Sequence, residues 1–256
     1  MNKLIKFVIT WFPRKFLQKA GPVFLKSLAL FLRGSKYTCP IEERSYSTFL
    51  PYGRIKSRPN ALCPGSLSLE RHRLLWLYLK EKTNFFQQKL DVLHIAPEQC
   101  FIRKFEEQHG ERYITGDLES PLAKVKLDVH KLPFNDNSFD VAMCNHVLEH
   151  VDDDIQALSE IKRVLRKGGW AILQVPFFYP IPEKTYEDPS ITLPDEKEKH
   201  FGQRDHVRMY GKDYAERIRS VGLDVFEDKY VKTLSEKIQK KYVLPVDEII
   251  YLCVKN

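Results

Sequence analysis

The 256-residue chain lacks any apolar run of the roughly 18 residues needed to span a bilayer; Lys6, the Arg14-Lys15 pair, Lys19 and Lys26 interrupt every candidate. Cysteine is sparse. Its five residues (Cys39, Cys63, Cys100, Cys144, Cys253) are scattered and odd in number, which excludes a disulfide framework and sets a reducing compartment, the cytoplasm by default, as the expectation. The stretch Leu4–Pro13 is split by Lys6 and followed by no small-residue cleavage site, which argues against a secretory signal. Acid is missing altogether from residues 1–40, which carry eight Lys and Arg side chains; since the whole chain is only +7, the other 216 residues sum to −1. A near-neutral body without a basic stripe interleaved with aromatics argues against nucleic acid as the partner. The 43% hydrophobic content is enough for a full core and excludes disorder as the main state.

What is present divides into three stretches. Residues 1–36 form a basic arm in which apolar patches (Phe7-Val8-Ile9, Trp11-Phe12, Val23-Phe24-Leu25) alternate with lysines, and Pro13 and Pro22 divide it into short helices. Such an amphipathic segment suits peripheral contact with an anionic membrane surface, or packing on the protein's own body or on a second subunit in a homodimer. Residues 37–67 are turn-rich, with Cys39-Pro40 and Cys63-Pro64. Residues 68–256 start with a helix over Ser68–Lys82 and then alternate strand and helix, the pattern of a sheet with crossover helices. Seven strands are expected: Leu90–Ile95, Arg112–Thr115, Lys124–Asp128, Phe139–Asn145, Gly169–Val175, Leu223–Tyr230 and Glu248–Val254. The helix after the fourth carries Asp152, Asp153 and Asp154 at its start and the stripe Ile155, Leu158, Ile161 and Leu165, and Gly168 is expected to close it. Residues 176–210 read as a long lid or acceptor loop.

In an open α/β sheet a nucleotide-type ligand lies outside the carboxyl ends of the strands. Those ends hold His94–Glu98, Asp117, Asp128 and Asn145-His146. Asp117 suits ribose hydroxyls and Asp128 an adenine amino group, although a lone Asp after a strand also serves as a turn former or cap.

The passages Leu132-Pro133-Phe134 to Ser138-Phe139-Asp140, then His146-Val147-Leu148-Glu149-His150, then Arg163-Val164-Leu165 to Gly168-Gly169 closely resemble the class I S-adenosylmethionine-dependent methyltransferases. The resemblance covers about residues 90–175. It implies a Rossmann-like seven-stranded sheet, mostly parallel with the last strand antiparallel, helices on both faces, and S-adenosylmethionine as cofactor. A narrower resemblance, to a subgroup with "LHIAPE" in place of the glycine-rich loop, rests on Val92–Glu98, Leu69–Arg73, Thr185–Pro189 and Phe201–Arg208. It implies that His94, Ala96, Pro97, Glu98, Asp117, Leu118, Asp128, Val129 and Asn145 line the cofactor, with Glu98 toward the methionyl ammonium. Relatives carry two Cys-Pro-x-Cys pairs, a degenerate form of which remains here. Glu42 and Ser66 stand in for the second cysteine of each pair, so no metal is expected there unless Glu42 and His72 substitute.

Asn145 and His146 fall where this family places residues beside the reactive methyl, with helix capping the competing role for Asn145. His206, preceded by Asp205, is the candidate base, an imidazole near neutrality, against the alternative of a solvated surface pair. The function implied is methyl transfer to a small-molecule, glycan or lipid-linked acceptor; a catalytically silent binding protein of the same fold is the alternative. An RNA-modifying role is disfavoured because the turn after the fourth strand reads Asn-His-Val-Leu rather than Asn/Asp-Pro-Pro-Tyr/Phe.

Overall fold

A computed structural model of the chain describes residue 25, residues 27–53 and residues 57–256. Of the basic arm read over residues 1–36, residues 1–24 and 26 lie outside the described residues, and its last residues, from Arg33 on, belong to a strand rather than to a helical arm. Two units are present: one ends at Thr83 and includes Val231–Glu248, and the other comprises Asn84–Tyr230 and Ile249–Asn256.

In the first unit β1 (Arg33–Cys39) pairs antiparallel with β2 (Arg44–Tyr46), and β3 (Leu50–Tyr52) with β4 (Arg58–Leu62). Two helices accompany them, α1 (Glu70–Lys82) and α6 (Glu236–Tyr242). Alternation is weak in these short strands; the fixed point is the fully buried Arg73. Its guanidinium donates to the carbonyls of Ala61 (3.0 Å), Ser68 (2.8 Å), Tyr242 (2.6 Å) and Val243 (2.8 Å). The last two lie at the carboxyl end of α6, where carbonyls present partial negative charge to the buried cation. The helix α6 and its return to this unit were not foreseen; residues 231–247 lack a clean apolar period, and the long-range bonds to Arg73, with the buried Val231 and Leu244, help to hold them.

The second unit is built on β5 (Val92–Ile95), β6 (Tyr113–Asp117), β7 (Val125–Lys126), β8 (Phe139–Asn145), β9 (Leu165–Gln174), β12 (Asp224–Asp228) and β13 (Ile250–Val254). Their order across the sheet is β12-β13-β9-β8-β5-β6-β7. From β9 to β7 every pairing is parallel, whereas β13 runs antiparallel to both β9 and β12. This is the Rossmann-like seven-stranded sheet expected, with helices α2 (Gln99–His109), α3 (Asp154–Val164) and α5 (Tyr214–Ser220). Burial follows position: β5 is buried along its whole length, while the edge strand β12 alternates exposed and half-buried residues. The core joins Leu93, Ile95 and Ala142 of the central strands to Leu158, Ile161 and Ile218 of the helices.

Two boundary expectations are corrected. Gly168 does not close α3. The helix ends at Val164 and residue 165 already belongs to β9, so Gly168, at φ +76°, turns the chain inside the strand, where a side chain would be strained. The third strand stops at Lys126 rather than Asp128, which forms an isolated bridge with Lys131.

Where the chain leaves β5 for β6 it goes to one side of the sheet, and on reaching β8 it has crossed to the other. That reversal opens a crevice at the carboxyl ends of β5 and β8. Their register is fixed by the pairs Val92↔Val141 to Ile95↔Cys144, so Ala96 and Asn145 come at neighbouring strand ends.

Burial also gives α2 a titratable anchor. His109 Nδ1 accepts the Leu90 N–H (3.2 Å), its ring lies 4.5 Å from Phe85, and burial lowers its pKa from the usual histidine value to about 4. The unfolded chain therefore binds this proton first on acidification, and stability present above about pH 6.5 is lost as pH falls toward 4. The expected outcome for His109→Asn, which keeps an acceptor for Leu90, is lower stability at neutral pH and a smaller drop in unfolding free energy between pH 6.5 and 4, read by urea unfolding at each pH.

Candidate active site

The turn after β5 replaces a glycine-rich loop with Ala96-Pro97-Glu98. Ala96 adopts φ +50°, the left-handed conformation glycine would supply freely, and its N–H is bonded to the Gly116 carbonyl of β6 (2.8 Å). A non-glycine residue there costs on the order of 1 kcal/mol, which the surrounding pairing offsets. Glu98 then starts α2 as its N-cap residue. Its carboxylate is held from two sides: His94 Nε2 lies 2.5 Å from Oε2, and Asn145 Nδ2 donates to Oε1 at 3.1 Å. His94 in turn meets the Tyr113 hydroxyl through Nδ1 (2.7 Å) and is wholly buried. His94, read as a cofactor contact, is thus corrected: it stands behind Glu98 and orients it.

Asn145 closes β8 with its Oδ1 buried and without a partner among the described residues. An orphaned acceptor beside a carboxylate is the arrangement that a cationic ammonium group satisfies. The donor set therefore fits the methionyl end of S-adenosylmethionine. Asp117 ends β6, next to β5 in the sheet, and its Oδ1 takes the N–H groups of Glu119 (2.8 Å) and Ser120 (2.7 Å) in an Asx turn. Leu118 beside it is exposed and Val129 is buried. Asp128 is exposed and its Oδ1 is occupied by the His130 N–H (2.9 Å) and ring Nδ1 (2.7 Å), which keep its pKa below the ordinary carboxylate value. Contacts thus join Glu98, His94 and Asn145, while Asp117 and Asp128 are brought near only by strand order.

His146 takes a positive φ of 55° as the chain turns out of β8, and its N–H is bonded to the Gln174 carbonyl (2.7 Å). Residues 146–150 form an irregular turn, not a helix. Glu149 is buried in it, with Oε1 3.5 Å from His146 Nδ1 and 3.9 Å from His150 Nε2. The Val207 N–H is bonded to the Glu149 carbonyl (2.9 Å), which lays the 201–207 segment against this turn and seats His206 with its ring centroid 4.7 Å from that of His150.

The pairing of Asp205 with His206 is corrected. The Asp205 side chain is 70% exposed and lies 3.6 Å from His150 Nδ1, whereas His206 is buried and donates through Nδ1 to the Phe201 carbonyl (3.1 Å). Burial lowers the His206 pKa, with the Glu149 charge opposing. Glu149 and His150 were missed as site residues; their signal in the sequence was the spacing His-x-x-Glu-His, which contributed only to a family resemblance.

The polar density of residues 176–210 is largely structural. The segment contains β10 (Tyr186–Glu187), α4 (Pro194–Phe201) and β11 (Arg208–Met209), the two strands paired. Arg208 is buried and donates to the carbonyls of Leu148 (2.6 Å), Val151 (2.5 Å) and Asp152 (2.8 Å) and to Glu187 (2.9 Å). Asp154, also buried, accepts from Arg217 (2.6 and 3.0 Å) and the Tyr210 hydroxyl (2.9 Å); burial works to raise its pKa, but these donors and the nearby Arg208 hold it low. The 146–153 turn is thereby pinned from outside the sheet.

Within the first unit Cys39, Glu42 and Cys63 converge. Cys63 Sγ donates to Glu42 Oε1 (3.1 Å) and Cys39 Sγ lies 3.2 Å from Ser66 Oγ. Each Cys-Pro pair thus has its thiol bonded to the side chain that ends the other four-residue segment, Cys63 to Glu42 and Cys39 to Ser66.

The sequence model of the family described as "Methyltransferase domain" matches residues 83–173. That match takes in about a third of the chain and makes residues 83–173 similar to that family. An uncharacterized methyltransferase from Schizosaccharomyces pombe is 34% identical over 88 residues, 31% of this chain and 29% of that protein. A demethylmenaquinone methyltransferase from Staphylococcus epidermidis is 41% identical over 58 residues, 23% of this chain and 24% of that protein. The matched stretches thus cover less than a third of these relatives' own length. Among solved structures, an S-adenosylmethionine-dependent methyltransferase from Mesorhizobium loti aligns over 70% of this chain and 95% of its own at 16% identity and a TM-score of 0.48. No described helix is long and apolar enough to cross a membrane.

Removing Arg208 takes away a donor from the carbonyls of Leu148, Val151 and Asp152 and leaves the buried Asp154 short of one of its two cationic neighbours. Arg208→Ala is expected to lower the unfolding free energy by about 3–5 kcal/mol, as breaking a buried charge pair does, measured by denaturant unfolding with an unchanged m-value.

Proposed function

We propose that the whole chain binds S-adenosylmethionine at the carboxyl edge of β5, β6 and β8 and transfers its methyl group to a small-molecule, glycan or lipid-linked acceptor. The observation that carries this reading is the Glu98 carboxylate, fixed by His94 and Asn145 across the crevice with the unpartnered Asn145 Oδ1 beside it. Glu98 and Asn145 would take the methionyl ammonium. Asp117 would offer Oδ2 to the ribose hydroxyls, since its Oδ1 is committed to the turn. Asp128 would face the adenine amino group, and Ala96, Pro97, Leu118 and Val129 would line the remainder.

When bound, the sulfonium supplies an electrophilic methyl group, and displacement at carbon needs alignment more than acid or base chemistry. The protein's part is to hold Asn145 and His146 still at the end of β8. The strand pairing to β9 and the His146-to-Gln174 bond do this. His206 would accept an acceptor's proton, its lowered pKa keeping it neutral and basic at physiological pH. Glu149, rather than Asp205, is the carboxylate that faces it.

Calorimetry with S-adenosylmethionine tests the reading. The wild-type chain is expected to bind one equivalent, and Glu98→Gln, which keeps the shape but loses the charge, to weaken binding by about 1.5–3 kcal/mol, or roughly 10–150-fold. Absence of wild-type binding at millimolar cofactor would end the proposal.

A further inference from the structure

We infer that Glu149, His150 and His206 form a site for one divalent transition-metal cation beside the methyl-transfer crevice. The argument is one of donor counting. A backbone carbonyl only accepts, so His206 Nδ1, 3.1 Å from the Phe201 carbonyl, carries the ring proton. The same holds for His150 Nδ1, 3.2 Å from the Asp205 carbonyl. In their neutral forms both imidazoles then present bare Nε2 lone pairs, and both share their neighbourhood with the Glu149 carboxylate.

Three acceptors then face one another with no donor among them. His206 is fully buried and Glu149 is 2% exposed, and His206 Nε2 and Glu149 Oε2 have no hydrogen-bond partner among the described residues. Buried acceptors in that state are costly unless a positive centre lies between them. A cation satisfies these two at once and can take the exposed His150 as a third ligand. Ring nitrogens whose other N–H is tied to a backbone carbonyl are also the usual form of histidine ligands, since that bond fixes tautomer and orientation.

The spacing is compatible. One ligand atom from each of the three residues falls within 4.8 Å of the others, and His150 Nε2 to Glu149 Oε1 is 3.9 Å. Ligands about 2.1 Å from a tetrahedral ion are roughly 3.4 Å apart, so binding asks for a closure on the order of 1 Å. Two imidazoles and one carboxylate suit zinc or another late first-row ion and leave at least one position open. His146, whose Nδ1 is 3.5 Å from Glu149 and whose Nε2 is buried without a partner, lies next to that position. Resting on the methyltransferase reading, the open position would hold an oxygen of the acceptor, which makes a hydroxyl-bearing acceptor the class this site selects; with the ion in place His206 is a ligand, and the lowered pKa of the metal-bound hydroxyl replaces its role as base.

The test uses the full chain, stripped with EDTA and titrated with cobalt(II) chloride while the visible absorption is recorded, followed by zinc loading, desalting and elemental analysis. One equivalent is expected, with a d–d spectrum free of thiolate charge-transfer bands. Glu149→Gln and His206→Ala are each expected to weaken cobalt binding at least about tenfold, while Cys39→Ser leaves it unchanged. No retained ion, a thiolate band, or binding indifferent to Glu149 and His206 would overturn the site. The cobalt spectrum of the unmutated chain keeps the test decisive even if a variant does not fold. Because S-adenosylmethionine binding is read separately by calorimetry, failure of the metal site and failure of the methyltransferase reading are told apart.

Discussion

Everything at the candidate site hangs from the parallel pairing of β5 with β8 at the place where the chain reverses across the sheet. Parallel strands present their carboxyl ends on the same edge, and here the register from Val92↔Val141 to Ile95↔Cys144 puts the turns after them side by side. The Asn145-to-Glu98 hydrogen bond spans that gap, and His94 and Tyr113 support it from within the core. A strand slipped by one residue would turn His94 out of the core and dissolve the arrangement.

A second layer of order comes from outside the sheet. The turn after β8 has little regular structure of its own, and a turn left with free carbonyls would be mobile. Arg208 answers three of those carbonyls, Asp154 is held by Arg217 and Tyr210, and the Val207-to-Glu149 bond fixes the neighbouring segment. What looked like acceptor-binding polarity in residues 176–210 is therefore in good part scaffolding. The groups left over after that scaffolding is satisfied, His206 Nε2 and Glu149 Oε2, are the ones with chemistry to offer.

The core strands were legible because parallel strands buried on both faces leave short apolar runs between polar turns, and β5, β8 and β9 do so. Glu98 and Asn145 were legible as strand-end residues for the same reason. Other readings failed where the answer depended on partners distant in sequence. The Asp205–His206 adjacency suggested a pair, but the two lie in a turn that sends their side chains apart, and His206 turned inward while Asp205 faced solvent. Gly168 resembled a helix stop, yet β9 had already begun at Leu165, and pairing of Phe139 with Leu165 decided the boundary. Residues 231–248 offered no pattern to read, since their place depends in part on bonds to the buried guanidinium of Arg73, far off in the sequence.

The sequence by itself determined the sheet, its strand count and the strand ends where a cofactor is expected, because those follow from local hydrophobic runs and from the fixed geometry of parallel crossovers. Only tertiary structure decided which carboxylate faces which histidine. Side-chain direction in turns is set by packing and by satisfaction of buried carbonyls, which couple residues 50 to 60 positions apart and leave no local trace in the order of amino acids.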